Sequence, residues 1–146
     1  MTNNKIMEKD MVNALECYYK NNGVKKIYKE VQLCSKFIDM LIQCECGKII
    51  TIEAKISAPS RAFKQAGIYR HMSDFVYVAI LKNGSNKTAL ELSKKTGIGL
   101  IFVSVDSNGE SVIEVVRESE KSDSFNEIIK NYVLEGQQKT FSGIQQ

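Results

Sequence analysis

Two almost uninterrupted apolar runs constrain the fold of this chain more than any other feature. They occupy Phe75–Leu81 and residues 98–105, and neither contains a charged side chain. Runs of this length are far shorter than the roughly 20 residues that cross a bilayer. They suit strands that are buried on both faces, which need helices on both sides of the sheet. The sequence therefore predicts an α/β protein with a mixed central sheet.

The rest of the chain is expected to form regular elements around these two strands. Apolar residues at helical spacing predict helices, alternating or β-branched runs predict strands, and Gly-containing turns separate them. The predicted elements, in chain order, are helix 7–20, strands 26–33, 36–43 and 49–56, helix 61–72, strand 75–81, helix 88–95, strands 98–105 and 111–116, and a final helix opened by a capping box from Ser124 to Glu127.

Length and composition favour one domain. The chain has 146 residues, 43% of them hydrophobic and 25% charged, as is typical of an ordinary globular domain. We assign the domain to residues 1–135 and expect 136–146, which contain few apolar residues, to form a disordered tail. With no membrane helix and no secretory signal, we expect a cytoplasmic protein without a membrane partner, whose four cysteines are reduced.

The charge of the chain is unevenly distributed. The net charge of +3 is too small to indicate a partner. Residues 55–71 contain four lysine or arginine residues and no acidic residue, whereas residues 106–127 contain seven acidic residues and two basic ones. A basic segment is commonly a solvated face, but it is also what a phosphate-bearing ligand requires.

Three charged residues are expected to meet on the hairpin of the second and third strands. Asp39 lies inside the second strand, where an unpaired carboxylate is costly to bury. Side chains alternate along the third strand, so Glu53 and Lys55 share one face with Thr51. The hairpin turn brings Asp39 beside Glu53, so that two carboxylates and an amine converge.

This constellation has two interpretations. Two carboxylates suit Mg²⁺, which takes carboxylate and water oxygens, and the lysine then orients a water for attack on a phosphorus atom. In the other interpretation, Glu53 and Lys55 belong to an alternating polar face and Asp39 pairs with a neighbouring lysine. The spacing alone does not decide between them.

The same residues resemble the PD-(D/E)xK nuclease superfamily, which has the restriction-endonuclease-like fold. Asp39, followed after 13 intervening residues by Glu53-Ala54-Lys55, resembles its defining motif. One departure is Ile38, which stands where the named motif has proline.

A second motif and the order of the elements add to this resemblance. Gln65 and Tyr69 resemble the Gln-x-x-x-Tyr motif of the RecB-like and Holliday-junction-resolvase-like branch. The superfamily has the core order αβββαβ in a mixed sheet flanked by helices, and the elements predicted over residues 7–81 follow that order.

The resemblance implies a Mg²⁺-dependent nuclease, with Mn²⁺ as a substitute, and we expect a DNA endonuclease. Small members of the superfamily are often dimers, so we also expect a homodimer. The expected site residues are the catalytic residues Asp39, Glu53, Lys55, Gln65 and Tyr69, the metal ligands Asp39, Glu53, Glu8 and the carbonyl of Ala54, and, from their charge, the nucleic-acid contacts Arg61, Lys64 and Arg70.

Two other functions stay open. One is a catalytically inactive module that keeps the nuclease fold and binds nucleic acid or a protein partner. Intact Asp39, Glu53 and Lys55 argue against it. The other is a structural or protein-interaction subunit whose hairpin charges pair with each other, which predicts neither metal binding nor affinity for nucleic acid.

Overall fold

The computed structural model describes residues 6–33, 35–83 and 86–145. These residues form four α-helices and six strands. They are α1 (Glu8–Lys20), β1 (Val24–Leu33), β2 (Lys36–Cys44), β3 (Ile49–Lys55), α2 (Pro59–Ile68) with a 3₁₀ turn (Tyr69–His71), β4 (Phe75–Leu81), α3 (Lys87–Thr96), β5 (Gly99–Val105), β6 (Ser111–Arg117) and α4 (Glu127–Gln145).

The six strands form one mixed sheet in chain order, from β1 at one edge to β6 at the other. β1, β2 and β3 are antiparallel neighbours, β3, β4 and β5 are parallel, and β6 runs antiparallel to β5. Parallel neighbours need a crossover connection. α2 supplies it between β3 and β4, and α3 between β4 and β5.

Helices cover both faces of the sheet. α1 packs on one face through Met11 and Leu15, which contact the side chains of the central strands. α2, α3 and α4 pack on the other face, through side chains such as Phe63, Ala89 and Val133. β4 lies between these layers with its five middle residues buried. Coverage of both faces explains why its sequence is almost wholly apolar.

The predicted fold class and order of elements are confirmed. The core from α1 to β4 has the order αβββαβ, and most predicted boundaries lie within two residues of those observed. The helix predicted over 61–72 begins at Pro59 instead. Proline suits the first position of a helix, because its fixed φ is helical and its missing N–H has no partner there.

The last helix differs from the prediction at both ends. Its N-cap is Asn126 and not Ser124: the Asn126 Oδ1 accepts hydrogen bonds from the backbone nitrogens of Ile128 and Ile129, at 2.9 and 3.2 Å. The helix continues to Gln145, so it includes residues 136–145 of the expected disordered tail, while residue 146 lies outside the described residues. Extending a nucleated helix costs far less than starting one.

No helix in the described part of the chain combines the length and the apolar character that a membrane crossing requires.

β2 and β3 separate at one end of the sheet. Their ladder runs from Gln43 paired with Ile49 to Met40 paired with Ile52. Beyond that point β2 stays paired with β1, and β3 stays paired with β4 up to Lys55. The backbone groups that face this divergence need other partners, and side chains provide them.

Candidate active site

Asp39 lies where β2 leaves β3. Its Oδ2 accepts a hydrogen bond of 2.8 Å from the backbone nitrogen of Ala54 on β3. The carboxylate thus replaces the ladder partner that Ala54 loses when the strands separate. This contact holds Asp39 beside the last residues of β3, as the hairpin register predicts.

Glu53 is almost completely buried, with 1% of its surface exposed. Its Oε1 accepts a hydrogen bond of 2.8 Å from the hydroxyl of Tyr69, which in turn accepts one of 3.1 Å from Gln65 Nε2. The same hydroxyl lies 3.4 Å from the carbonyl oxygen of Phe37 on β2. Tyr69 therefore contacts both strands across their divergence and fixes the orientation of Glu53.

Lys55 extends from the end of β3 beside Glu53. Its Nζ lies 3.9 Å from Glu53 Oε2, and 29% of its side chain is exposed, against 2% for Glu53. The Lys55 side chain is thus partly accessible to solvent, whereas the Glu53 side chain beside it is almost completely buried. A solvated polar face does not have this geometry, so the burial of Glu53 argues against that interpretation of the Glu-x-Lys spacing.

The two carboxyl groups have altered acidities. Burial, and then the charge of Asp39, raises the pKa of Glu53 to about 7, against the hydrogen bond from Tyr69 and the charge of Lys55. Burial also raises the pKa of Asp39, against the Ala54 hydrogen bond. Burial and the charge of Glu53 raise the pKa of Tyr69, which keeps its hydroxyl protonated as a donor. A cation close to both carboxylates would stabilise their charged forms.

Glu8 approaches the site from the first turn of α1. Its Oε2 accepts a hydrogen bond of 3.3 Å from the backbone nitrogen of Ile56, and its charge raises the pKa of Asp39. The structure therefore places Glu8 at the end of β3, where its charge acts on Asp39, although the two residues are far apart in sequence.

The side chains of the site offer two carboxylates to a Mg²⁺ ion. In the described part of the chain, no three His, Cys, Asp or Glu side chains form a group able to hold a metal ion. Glu8 thus does not form such a group with Asp39 and Glu53. Mg²⁺ is usually held by one or two carboxylates together with water and substrate phosphates, and Asp39 and Glu53 match that requirement.

Of the three basic residues expected to contact nucleic acid, two are exposed and one is half-buried. Arg61 and Lys64 are exposed on α2. Arg61 lies four residues before Gln65, hence on the same side of the helix. Arg70 is half-buried, and its guanidinium donates a hydrogen bond to the carbonyl of Thr96 at the end of α3. Arg70 thus caps the C-terminus of α3. This role depends on a tertiary contact, so the sequence alone does not reveal it.

The structure brings together most of the expected site residues. The contacts described above connect all five expected catalytic residues, namely Asp39, Glu53, Lys55, Gln65 and Tyr69. Sequence reasoning missed the carbonyl of Phe37 as a partner of the Tyr69 hydroxyl, because a backbone acceptor has no sequence signal.

No protein-family model and no curated protein matches the chain. Among solved structures, the chain is similar to the SPO1766 protein of unknown function from Silicibacter pomeroyi. The TM-score is 0.66 at 14% sequence identity, over 90% of this chain and 84% of that one. This likeness supports the α/β fold and assigns no chemistry.

Two further solved structures are less similar. One is a repair endonuclease from Pyrococcus abyssi, with a TM-score of 0.49 and 20% identity over 73% of this chain and 50% of that chain. The other is SfsA from Pyrococcus furiosus in complex with Ca²⁺, with a TM-score of 0.43 and 17% identity over 76% of this chain and 60% of that chain. The chain thus matches about half and about three fifths of these proteins. At such TM-scores, the likeness carries no conclusion about function.

Proposed function

We propose that this protein is a Mg²⁺-dependent phosphodiester hydrolase of the PD-(D/E)xK type, acting as an endonuclease on DNA. The observation that carries the proposal is the convergence of Asp39, Glu53 and Lys55 where β2 separates from β3. Burying two neighbouring carboxylates raises the free energy of the folded protein unless a cation or proton compensates. Such an arrangement is typical of a functional site.

Each charged group has a distinct role in the proposed reaction. Asp39 and Glu53 would hold the metal ion, and each has one oxygen fixed by a protein donor, the Ala54 nitrogen and the Tyr69 hydroxyl respectively. Lys55 orients the attacking water and assists its deprotonation. When bound here, Mg²⁺ supplies charge neutralisation at the scissile phosphate.

Two parts of α2 support this chemistry. Gln65 and Tyr69 are positioning residues, because they act on the substrate only through Glu53. Arg61 and Lys64, which are exposed on the same helix, contact the phosphate backbone of the nucleic acid. Arg70 is left out of this proposal, since Thr96 already binds its guanidinium.

The proposal is tested by incubating the protein with Mg²⁺ on supercoiled, linear, single-stranded and four-way-junction DNA. We expect cleavage of at least one substrate, and a loss of about a hundredfold or more in Asp39→Asn, Glu53→Gln and Lys55→Met. Glu91→Gln, on the exposed side of α3, is the matched control and should keep the wild-type rate. Circular dichroism verifies that each variant is folded.

The other outcomes separate the alternatives. DNA binding without cleavage by the wild-type protein would favour the inactive module. Cleavage that survives all three substitutions would show that another site is responsible. If the protein neither binds nor cleaves any nucleic acid, the proposal is overturned. The remaining alternative is then a structural subunit.

A further inference from the structure

Phe37 is an exposed aromatic side chain on the strand that carries Asp39. In the structure 55% of its surface is accessible, whereas the strand residues Ile38 and Met40 are fully buried. Its backbone is held on two sides. It pairs with Gln32 of β1, and its carbonyl accepts the hydroxyl of Tyr69. The ring is therefore presented to solvent from a fixed backbone.

The position of Phe37 relates it directly to the carboxylates. Its carbonyl oxygen lies 3.4 Å from the Tyr69 hydroxyl, which lies 2.8 Å from Glu53 Oε1. Along β2, Phe37 precedes Asp39 by two residues, so their Cα atoms lie about 7 Å apart. That separation is short enough for one nucleotide to place its phosphate at the carboxylates and its base at the ring.

We propose that Phe37 stacks on an unpaired nucleobase next to the scissile phosphate, so that the site prefers unpaired or single-stranded nucleotides to continuous duplex. This inference rests on the proposed function of the same site. Aromatic side chains bind bases by stacking, without sequence preference, because every base has a π-face. Within a duplex those faces are already covered by neighbouring base pairs, so the ring gains a partner only where a base is unpaired.

Binding is measured first, in a Glu53→Gln background that prevents hydrolysis. The probe is a single-stranded oligonucleotide containing 2-aminopurine, whose fluorescence falls when the base stacks. We expect quenching on binding with Phe37 or Phe37→Tyr, and in Phe37→Ala little quenching and about tenfold weaker affinity. Tyr18→Ala is the control, since Tyr18 is also exposed but lies about 15 Å along α1 from Glu8.

Cleavage is measured second, on the same sequence as a single strand and as a blunt duplex. We expect a higher kcat/KM for the single strand in the wild-type protein, and loss of that preference in Phe37→Ala but not in Phe37→Tyr. Equal quenching and affinity in Phe37→Ala and wild type would overturn the stacking role even if the enzyme cleaves DNA. Absence of cleavage in every protein would instead overturn the proposed function, while the fluorescence still decides on stacking.

Discussion

Burial of Glu53 ties the stability of the protein to pH. Its pKa is 4.5 in an unfolded chain and about 7 in the folded one, so between these values the folded protein keeps a proton that the unfolded chain releases. The free energy of unfolding of the metal-free protein should therefore fall as pH rises from 4.5 to 7, by at most about 3 kcal/mol, and change little above that range. Urea denaturation at several pH values measures this.

The control for this prediction is Glu53→Gln, which removes the titrating group. Its free energy of unfolding should vary less between pH 4.5 and 7, whereas Glu91→Gln, on the exposed side of α3, should behave like the wild type. A stability that rises over this range in the wild-type protein would contradict the burial described for Glu53.

The side chains of the site differ in how far their contacts follow from sequence. The proximity of Asp39 and Glu53 was predictable, because strand periodicity and a short hairpin fix which residues face each other. The hydrogen bond from Tyr69 to Glu53 depends on how α2 packs on the sheet, and local patterns do not encode that. The role of Arg70 at the end of α3 depends on a contact between two separate helices.

At the scale of single elements, two glycines should respond to alanine in opposite ways. A Cβ at Gly99, where β5 begins, would lie 2.3 Å from a ring carbon of Tyr77 and 2.8 Å from the backbone nitrogen of Ser119. Gly99→Ala should therefore destabilise the protein by about 1–3 kcal/mol. At Gly67 in α2, no atom of the described residues lies within 4 Å of such a Cβ, apart from its chain neighbours and its own helix backbone. Gly67→Ala should therefore stabilise the protein by up to about 1 kcal/mol.

Chemical denaturation of the two variants measures both changes. The pair is informative because the substitution is the same and only its surroundings differ. If Gly99→Ala were as stable as the wild type, β5 could not pack against Tyr77 as described.

The elements themselves were largely predictable, and their ends were less so. The apolar runs of β4 and β5 left few alternatives to buried strands. The choice of Asn126 over Ser124 as N-cap was not decided by residue type, since both are good caps. The helix starts after Asn126 because a helix with this start brings Ile129 and Val133 of α4 into contact with the core.

For the whole molecule, we predict a homodimer, in line with the family resemblance. α4 exposes Ile128 and Tyr132, at 79% and 78%, four residues apart and hence on one side of the helix. Light scattering should give twice the 16.4 kDa mass of the chain. The double variant Ile128→Glu, Tyr132→Glu should give the monomer mass, because charges at these positions oppose burial.

A monomer mass for the wild-type protein at all concentrations would contradict this prediction. A dimer that persists in the double variant would place the interface elsewhere.

The mixed α/β architecture was predictable from the pattern of elements, but not which face of the sheet each helix covers. Periodicity shows that a helix such as α1 has an apolar side, and it does not show which layer receives that side. Only the packed structure places α1 opposite α2, α3 and α4.

The hairpin of β2 and β3 limits where the protein tolerates inserted or deleted residues. Asp39 and Glu53 meet because the hairpin between them has a fixed register, closed by a turn at Gly47 with φ of +91°. Inserting one residue there would turn one carboxylate to the opposite face of the sheet. The turn between β5 and β6 lies outside this hairpin, so natural insertions and deletions should accumulate there and be absent from residues 44–49.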